Sequence, residues 1–371
     1  MEKFREMLET HHQYARDWKS KTGGKVIGYL CPYLPEEVAY AAGVLPVRLL
    51  AENEPDDLTD RYFYGNCNCT RDILNQILKG RFEYLEGAVH ANGCEWQERA
   101  FESWKYHQPL PYMHYLYLTN YVEGIRVHTA LRAELEAFKK SLEEWTGKAI
   151  TEEALDNAIE VYNTNRRLMR QVYELRREDN PPLSGTEAAE MVLASQIMDK
   201  ADHNRLLTEF LKELPTRPGV GKDRVRVMYR GSPTHDTKME TLIESLGAVI
   251  VIDELCTGSA YFWNEVVPQE DRLMAIARRY LDKPPCPEKE IRYASRPAHI
   301  LQLIERFNAK GVIIDKQTYC DPHGSDNHRI WAALKERRIP FHYMERDTNL
   351  AQGDLEARLE AFIDMLHPEL V

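Results

Sequence analysis

Apolar and polar positions divide the chain into two alternating segments around a long helical one. In the first segment, residues 25–30 (KVIGYL), 46–50, 85–90 (LEGAVH) and 112–118 (YMHYLYL) are short apolar runs that predict strands. Residues 35–42 (PEEVAYAA) predict a helix with Pro35 in its first turn and Gly43 at its end. Residues 70–79 (TRDILNQILK) predict a second helix, stopped by Gly80, and a third runs from Glu95 to about Trp104.

From residue 122 to 214 apolar positions recur at three and four, as in TALRAELEAFKKSLEEW and EEALDNAIEVYNTNRRLMRQVYELR, which predicts helices. Pro181-Pro182 interrupts them, and Ser184 with Glu187 has the capping-box spacing. Residues 215–221 (PTRPGVG) predict a linker. The alternation then returns. Strands are predicted at 225–229, 248–252, 312–314 and 341–344, with a turn at Gly231-Ser232-Pro233. Helices are predicted up to Leu246 and at 271–281, 298–309, 326–336 and 355–366. The expected fold is α/β: two doubly wound, Rossmann-like parallel-sheet domains with a helical layer between them. The expected boundaries are 1–121, 122–221 and 222–371. There is no short repeat and no low-complexity segment, and the halves are too dissimilar in sequence to be read as copies.

A length of 371 residues suits two cores or three at about 150 residues per domain. With 48 basic and 59 acidic residues the net charge is −11, which argues against nucleic acid or an anionic membrane as partner. An acidic substrate would need a local basic patch. No apolar run approaches about 18 residues, so no membrane span is expected. The N-terminal MEKFREMLETHHQYARDWKS reads as a charged amphipathic helix without a signal-peptide core, so the expected location is cytoplasmic.

The seven cysteines carry the chemistry. In a reducing compartment disulfides explain them poorly, and buried thiols acting as small hydrophobes are the plain alternative. Their positions say more. Ligands of open α/β sheets sit beyond the carboxyl ends of the strands. Cys31, Cys94, Cys256 and Cys320 each follow a predicted strand, two in each half, which places a shared site in the cleft between domains. Structural zinc favours close Cys pairs such as C-x-x-C, and the one close pair here, Cys67-Asn68-Cys69, is too short for it. Thiolates spread over both halves suit a larger soft-metal object, an iron–sulfur cluster among them. Cys69 and Cys94 stand at predicted helix starts, where free N–H groups reach sulfur.

Other motifs exclude functions. No G-x-x-x-x-G-K-[ST] is present, so the chain is not expected to hydrolyse ATP, and Gly219-Val220-Gly221-Lys222 reads as linker. No G-x-S-x-G and no G-x-G-x-x-G after the first strand argue against an esterase or a simple dinucleotide site. The densest polar string runs from Tyr319 to His328. His323 is its candidate catalytic residue, a proton donor beside a cluster. The structural alternative is that Pro322, Gly324 and Ser325 make a turn and that Ser325 or Asp326 caps the next helix. His11, His12 and His235 read as solvated. The aromatic run at 112–118 reads as core or subunit interface.

An ordered set of pieces carries a resemblance. It comprises Gly28-Tyr29-Leu30-Cys31-Pro32-Tyr33-Leu34-Pro35-Glu36-Glu37, Ala41-Ala42-Gly43, Cys69, Gly93-Cys94-Glu95, Cys256-Thr257-Gly258-Ser259, Tyr319-Cys320-Asp321-Pro322-His323, Ile339-Pro340, Glu345 and residues 355–362 (LEARLEAF). Across residues 28–366 the chain resembles the benzoyl-CoA reductase / 2-hydroxyacyl-CoA dehydratase family. The resemblance implies a 4Fe–4S cubane on Cys69, Cys94 and Cys320. It also matches the double-cubane branch, whose additional ligands fall on Cys31, Cys256 and Cys286, implying an 8Fe–9S cluster with a single cubane as the alternative. Cys67 matches no ligand position, and Cys286 departs in setting, within Lys283-Pro284-Pro285-Cys286-Pro287. Residues 66–72 and 78–87 look most like the smaller cluster-bearing subunit of ATP-dependent benzoyl-CoA reductases.

What the resemblance implies is an oxidoreductase subunit for low-potential, dearomatising reduction of an aromatic acyl-CoA. It implies a homologous α/β partner subunit and an ATP-hydrolysing activator with its own 4Fe–4S cluster. The alternatives are a 2-hydroxyacyl-CoA dehydratase subunit, a stand-alone double-cubane reductase and a non-catalytic electron-relay subunit.

Overall fold

Eight strands form two separate four-stranded parallel sheets. The first contains β1 (Lys25–Tyr29), β2 (Val44–Arg48), β3 (Gly87–Ala91) and β4 (Tyr112–Leu116), in the order β2-β1-β3-β4. The second contains β5 (Val225–Gly231), β6 (Ala248–Glu254), β7 (Gly311–Gln317) and β8 (Phe341–Arg346), in the order β6-β5-β7-β8. The two sheets thus share one topology, which their sequences alone do not reveal. The computed structural model describes residues 1–53, 57–59, 63, 66–284, 286–289, 295–346 and 352–367. Pro285, in the proline-rich setting of Cys286, lies outside them.

The helices are α1 (Glu2–Glu9), α2 (His11–Thr22), α3 (Glu36–Ala41), α4 (Asn68–Leu78) and α5 (Glu95–His107) in the first part. The middle holds α6 (Ile125–Thr146), α7 (Glu152–Leu175), α8 (Gly185–Ile197) and α9 (Lys200–Glu213). The last part holds α10 (Lys238–Ser245), α11 (Ser259–Phe262), α12 (Arg272–Leu281), α13 (Ser295–Arg306), α14 (Asp321–Glu336) and α15 (Gln352–Met365). The protein is a two-domain α/β fold with helices packed between the sheets. Among the described residues no helix is long and apolar enough to cross a membrane.

Sequence explains the strands locally. β1, β3, β5 and β6 read as nearly continuous apolar runs because helices cover both faces of a parallel sheet. Pro46 sits inside β2, opposite Ile27, and is tolerated because β2 is an edge strand. Gly231 ends β5 at a φ of +143°, where a Cβ would lie 1.8 Å from the Asp315 carbonyl oxygen, so only glycine lets β5 and β7 meet there. α8 is buried on nearly every side and touches both β2 and β6, so it forms the centre of the layer between the sheets. Its start is the capping box expected from Ser184 and Glu187. The predicted linker is tied down: Val220 donates to the Pro181 carbonyl at 2.8 Å, and Arg217 pairs with Glu187 at 2.6 Å.

The halves are joined by buried polar groups. Glu36, at the start of α3, accepts from Tyr29 at 3.1 Å and from Tyr261 of α11 at 2.6 Å. Its neighbour Glu37 pairs with Arg166 of α7 and accepts from Tyr280 of α12 at 2.9 Å. Arg48, fully buried at the end of β2, donates to the Leu30 carbonyl at 3.2 Å, to Gln196 of α8 at 2.5 Å and to the Cys256 carbonyl at 3.0 Å. One guanidinium therefore links the first sheet, the central helix and the second sheet.

One sequence expectation is corrected here. Ser325 and Asp326 do not cap a helix starting near them. α14 begins five residues before Asp326, with Cys320 at its N-cap and Pro322 in its first turn, a position that suits a residue without an N–H. Asp326 is instead buried between Arg296 at 2.7 Å and Arg230 at 3.4 Å. Both arginines also hold Glu254, at 3.0 and 3.2 Å. Two cations and two carboxylates thus close a buried quartet at the carboxyl end of the second sheet.

Removing one member leaves its partners as uncompensated buried charge. Asp326→Ala is expected to lower unfolding stability by about 3–5 kcal/mol in urea titrations. Arg99→Ala, which breaks an exposed pair with Glu95, should cost under about 1 kcal/mol. Arg48→Met strips three buried acceptors of a charged donor and is expected to cost about 3 kcal/mol or more by the same measurement.

Candidate metal centre

All seven cysteines line one cavity of about 100 Å³ at the junction of the two sheets. All seven are free thiols. The fold brings them there in two ways. The first is strand order. In each sheet the chain leaves the central pair in opposite directions, so the carboxyl ends of β1 and β3, and of β5 and β7, flank a topological switch point. Cys31 follows β1, Cys94 follows β3, Cys256 follows β6 and Cys320 follows β7. The second is helix starts. Cys67, Cys94 and Cys320 are the N-cap residues of α4, α5 and α14, and Cys69 lies in the first turn of α4. A helix N-terminus favours a negative sulfur through its free N–H groups and its dipole.

Contacts across the halves fix the thiols. The Cys69 sulfur lies 3.1 Å from the side-chain nitrogen of Gln317, at the end of β7, and Gln317 also donates to the Pro233 carbonyl at 2.9 Å. Arg48 reaches the Cys256 sulfur at 3.5 Å. Gly93 lets Cys31 approach the turn before α5: a Cβ there would stand 3.0 Å from the Cys31 sulfur and 2.7 Å from Gln97.

Burial raises the thiols of Cys31, Cys67, Cys69 and Cys94, and pushes those of Cys286 and Cys320 up to about 12. Negative charge on neighbouring sulfurs adds to the rise: Cys67 and Cys320 act on Cys69, while Cys67, Cys320 and Cys31 act on Cys94. Cys31 acts on Cys286 and Cys256 on Cys320. The influences cross between Cys94 and Cys31 and between Cys320 and Cys256, so the thiols act on one another around the whole cavity.

Cations surround them. Lys283, Lys289 and Arg48 are all buried, and none forms an ion pair with a carboxylate among the described residues. Burial and then Arg279 push Lys283 down to about 8, against the pull of thiolates at Cys31, Cys286 and Cys256. Its ammonium lies 3.9 Å over the Tyr33 ring. Lys289 donates to the Leu118 carbonyl at 3.1 Å and to Asn120 at 3.0 Å.

The donor set fits a polynuclear soft-metal cluster better than a single ion. A tetrahedral zinc with bonds of about 2.3 Å to sulfur would draw its thiolates to about 3.8 Å from one another. Among the described residues no three cysteine sulfurs lie mutually within 4.8 Å. Buried neutral thiols with unpaired cations nearby need a positively charged metal core to become thiolates, which those cations then balance.

The structure relocates several residues. Cys67, which matches no ligand position of the family, shares the cavity wall with the other six, its sulfur 2.9 Å from the Thr70 hydroxyl. His235 is not solvated: it lines the cavity, accepts from the Ala51 N–H at 2.8 Å and is pushed down to about 3 by burial and then by Arg48. His323 also lines the cavity. Burial, then Arg296 and Arg230, hold it down to about 3, so its ring is neutral, and its Nδ1 has no hydrogen-bond partner. His11 is buried and His12 half-buried, correcting their reading as solvated. Sequence reading missed Lys283, Lys289 and Arg48. Their only signal was to be cations inside otherwise apolar or proline-rich runs. A second pocket of about 590 Å³ meets the cavity at Tyr33, Lys283, Cys286 and Lys289.

Known proteins of similar sequence are components of acyl-CoA reductases and dehydratases. The chain is 24% identical over 336 residues to a benzoyl-CoA reductase component of Thauera aromatica, covering 88% of this chain and 87% of that one. It is 25% identical over 386 residues to the (R)-phenyllactyl-CoA dehydratase beta subunit of Clostridium sporogenes, covering 98% and 97%. It is 25% identical over 354 residues to the beta subunit of (R)-2-hydroxyglutaryl-CoA dehydratase of Acidaminococcus fermentans, covering 91% and 93%. The profile of the family described as HGD-D, 2-hydroxyglutaryl-CoA dehydratase, D-component, matches residues 31–366, and the chain belongs to that family.

Proposed function

We propose that this chain is the iron–sulfur subunit of a low-potential, ATP-driven reductase of the benzoyl-CoA reductase type, acting on an aromatic acyl-CoA. The observation that carries the reading is the gathering of Cys31, Cys256 and Cys286 into the cavity of Cys69, Cys94 and Cys320. Six thiols on one cavity wall suit a double-cubane cluster, and three suit a single cubane. When bound, such a cluster supplies one-electron reduction at low potential.

The chain's own residues then have definable tasks. The N-termini of α4, α5 and α14 and the cations Arg48, Lys283 and Lys289 favour thiolate over thiol. Neutral His323 keeps one ring proton at the cavity wall and offers it as a hydrogen bond, with Arg230 and Arg296 behind it opposing a second. The pocket beyond Cys286 is the approach for substrate, and Lys283 and Lys289 stabilise negative charge that develops there. ATP hydrolysis falls to a separate activator, and a homologous α/β partner completes the assembly.

A second reading is a 2-hydroxyacyl-CoA dehydratase subunit with a single cubane on Cys69, Cys94 and Cys320. The dehydratase names of two relatives and of the family favour it. Iron decides between them. Anaerobically purified protein should hold about eight irons under the first reading and about four under the second. Cys31→Ser, Cys256→Ser and Cys286→Ser should each lose about four irons under the first reading. Iron unchanged by all three substitutions would leave a three-cysteine site and overturn the double cubane.

Lys283→Met removes a cation beside the sulfurs. An EPR-monitored redox titration should then give a more negative midpoint than wild type at equal iron content, because the added electron loses a stabilising charge. An unchanged midpoint would remove Lys283 from that role.

A further inference from the structure

A second group of metal-ligating side chains lies outside the cysteine cavity. α1 and α2 break at Thr10, which puts His11 and His12 at the first two positions of α2. Neighbours on a helix diverge by about 100°. Here both Nε2 atoms nevertheless converge, each 3.2 Å from the same carboxylate oxygen of Glu52. The two rings lie 4.1 Å apart at 36°.

The tautomer of His11 follows from its surroundings. Its Nδ1 is 2.8 Å from the Leu8 carbonyl oxygen, which only accepts, so Nδ1 carries a proton and Nε2 is the nitrogen that faces Glu52. His11 is 6% exposed, and its buried Nε2 makes no hydrogen bond, Glu52 being its one facing group among the described residues. At 3.2 Å that nitrogen and the carboxylate are bridged either by a proton on the ring or by a metal ion between them. A carbonyl holding Nδ1–H while Nε2 is free is the usual arrangement behind a metal-bound imidazole. Zinc at about 2.0–2.2 Å from nitrogen and oxygen in tetrahedral geometry sets its ligands about 3.3–3.5 Å apart. The 3.2 Å spacings lie within about 0.2 Å of that range.

We propose that His11, His12 and Glu52 bind one divalent zinc ion, with water as the fourth ligand, as a structural clamp distinct from the cysteine site. Imidazole and carboxylate suit zinc, while the soft thiolates of the cavity suit iron–sulfur chemistry, so the two sites do not compete. The clamp fastens the N-terminal helices to the segment after β2. That segment braces the cysteine wall: the Glu52 N–H donates to Asp72 of α4 at 2.9 Å, and the Ala51 N–H donates to His235 at 2.8 Å.

The test uses the full chain with its thiols loaded with iron and cobalt(II) as the probe. One equivalent should bind with the d–d spectrum of a four-coordinate nitrogen and oxygen site and no thiolate charge-transfer band. Glu52→Gln and His12→Gln should each weaken binding at least about tenfold. Zinc should raise the melting temperature of wild type but not of Glu52→Gln, since a ligand stabilises only the state that binds it. Equal binding by wild type and both variants, a thiolate charge-transfer band in place of the d–d spectrum, or no bound cobalt would each overturn the site. None of these outcomes depends on how many irons the cysteines hold.

Discussion

Arg48 is the constraint on which the rest of the molecule turns. Its guanidinium is wholly buried, has no carboxylate partner among the described residues, and spends its donors on Leu30, Gln196 and Cys256. Taking such a cation out of water costs several kcal/mol unless nearby groups compensate. Carbonyl oxygens do part of this. The Cys256 sulfur lies 3.5 Å from the same guanidinium. Cavity and domain junction therefore meet at one group: the guanidinium that ties the first sheet to the central helix also reaches the carbonyl and the sulfur of Cys256.

The same logic runs round the cavity. Three helices begin on it, so their N-termini supply partial positive charge. Lys283 and Lys289 supply more. Behind them the buried quartet of Arg230, Glu254, Arg296 and Asp326 is balanced within itself, with Glu254 held down to about 2 by Arg296 and Arg230 against a burial that would raise it. Glu254 and Arg296 of this quartet stand on the cavity wall as a neutral pair, which leaves Lys283, Lys289 and Glu288 as the other charged side chains of the lining.

Much of this was legible in sequence because it depends on local pattern. Apolar runs of strand length gave all eight strands near their observed ends, and the strand-end rule put Cys31, Cys94, Cys256 and Cys320 at one junction. Failures fell where a residue's environment comes from distant chain. Asp326 looked like a cap beside Gly324 and Ser325, yet its partners lie 30 and 96 residues away. His235 looked like a solvated turn, but the segment after β2 folds over it. Gln317, at the end of β7, likewise reaches Cys69 from 248 residues away. Spacing along the chain does not measure distance across a cavity lined from both sheets.

The chain's net charge and the two lysines of the cavity wall are opposite in sign. A net charge of −11 argues against a site that recruits anions from solution by long-range attraction. The cations are instead placed inside, where low dielectric makes each worth more than it would be at the surface. Lys283 and Lys289 stand on the shared wall of the cysteine cavity and the outer pocket, so both spaces feel them at once. A negative charge in either space is therefore stabilised by the same two ammonium groups, and two such charges would have to share them. The two spaces are in this sense electrostatically one, since Lys283 and Lys289 belong to the walls of both.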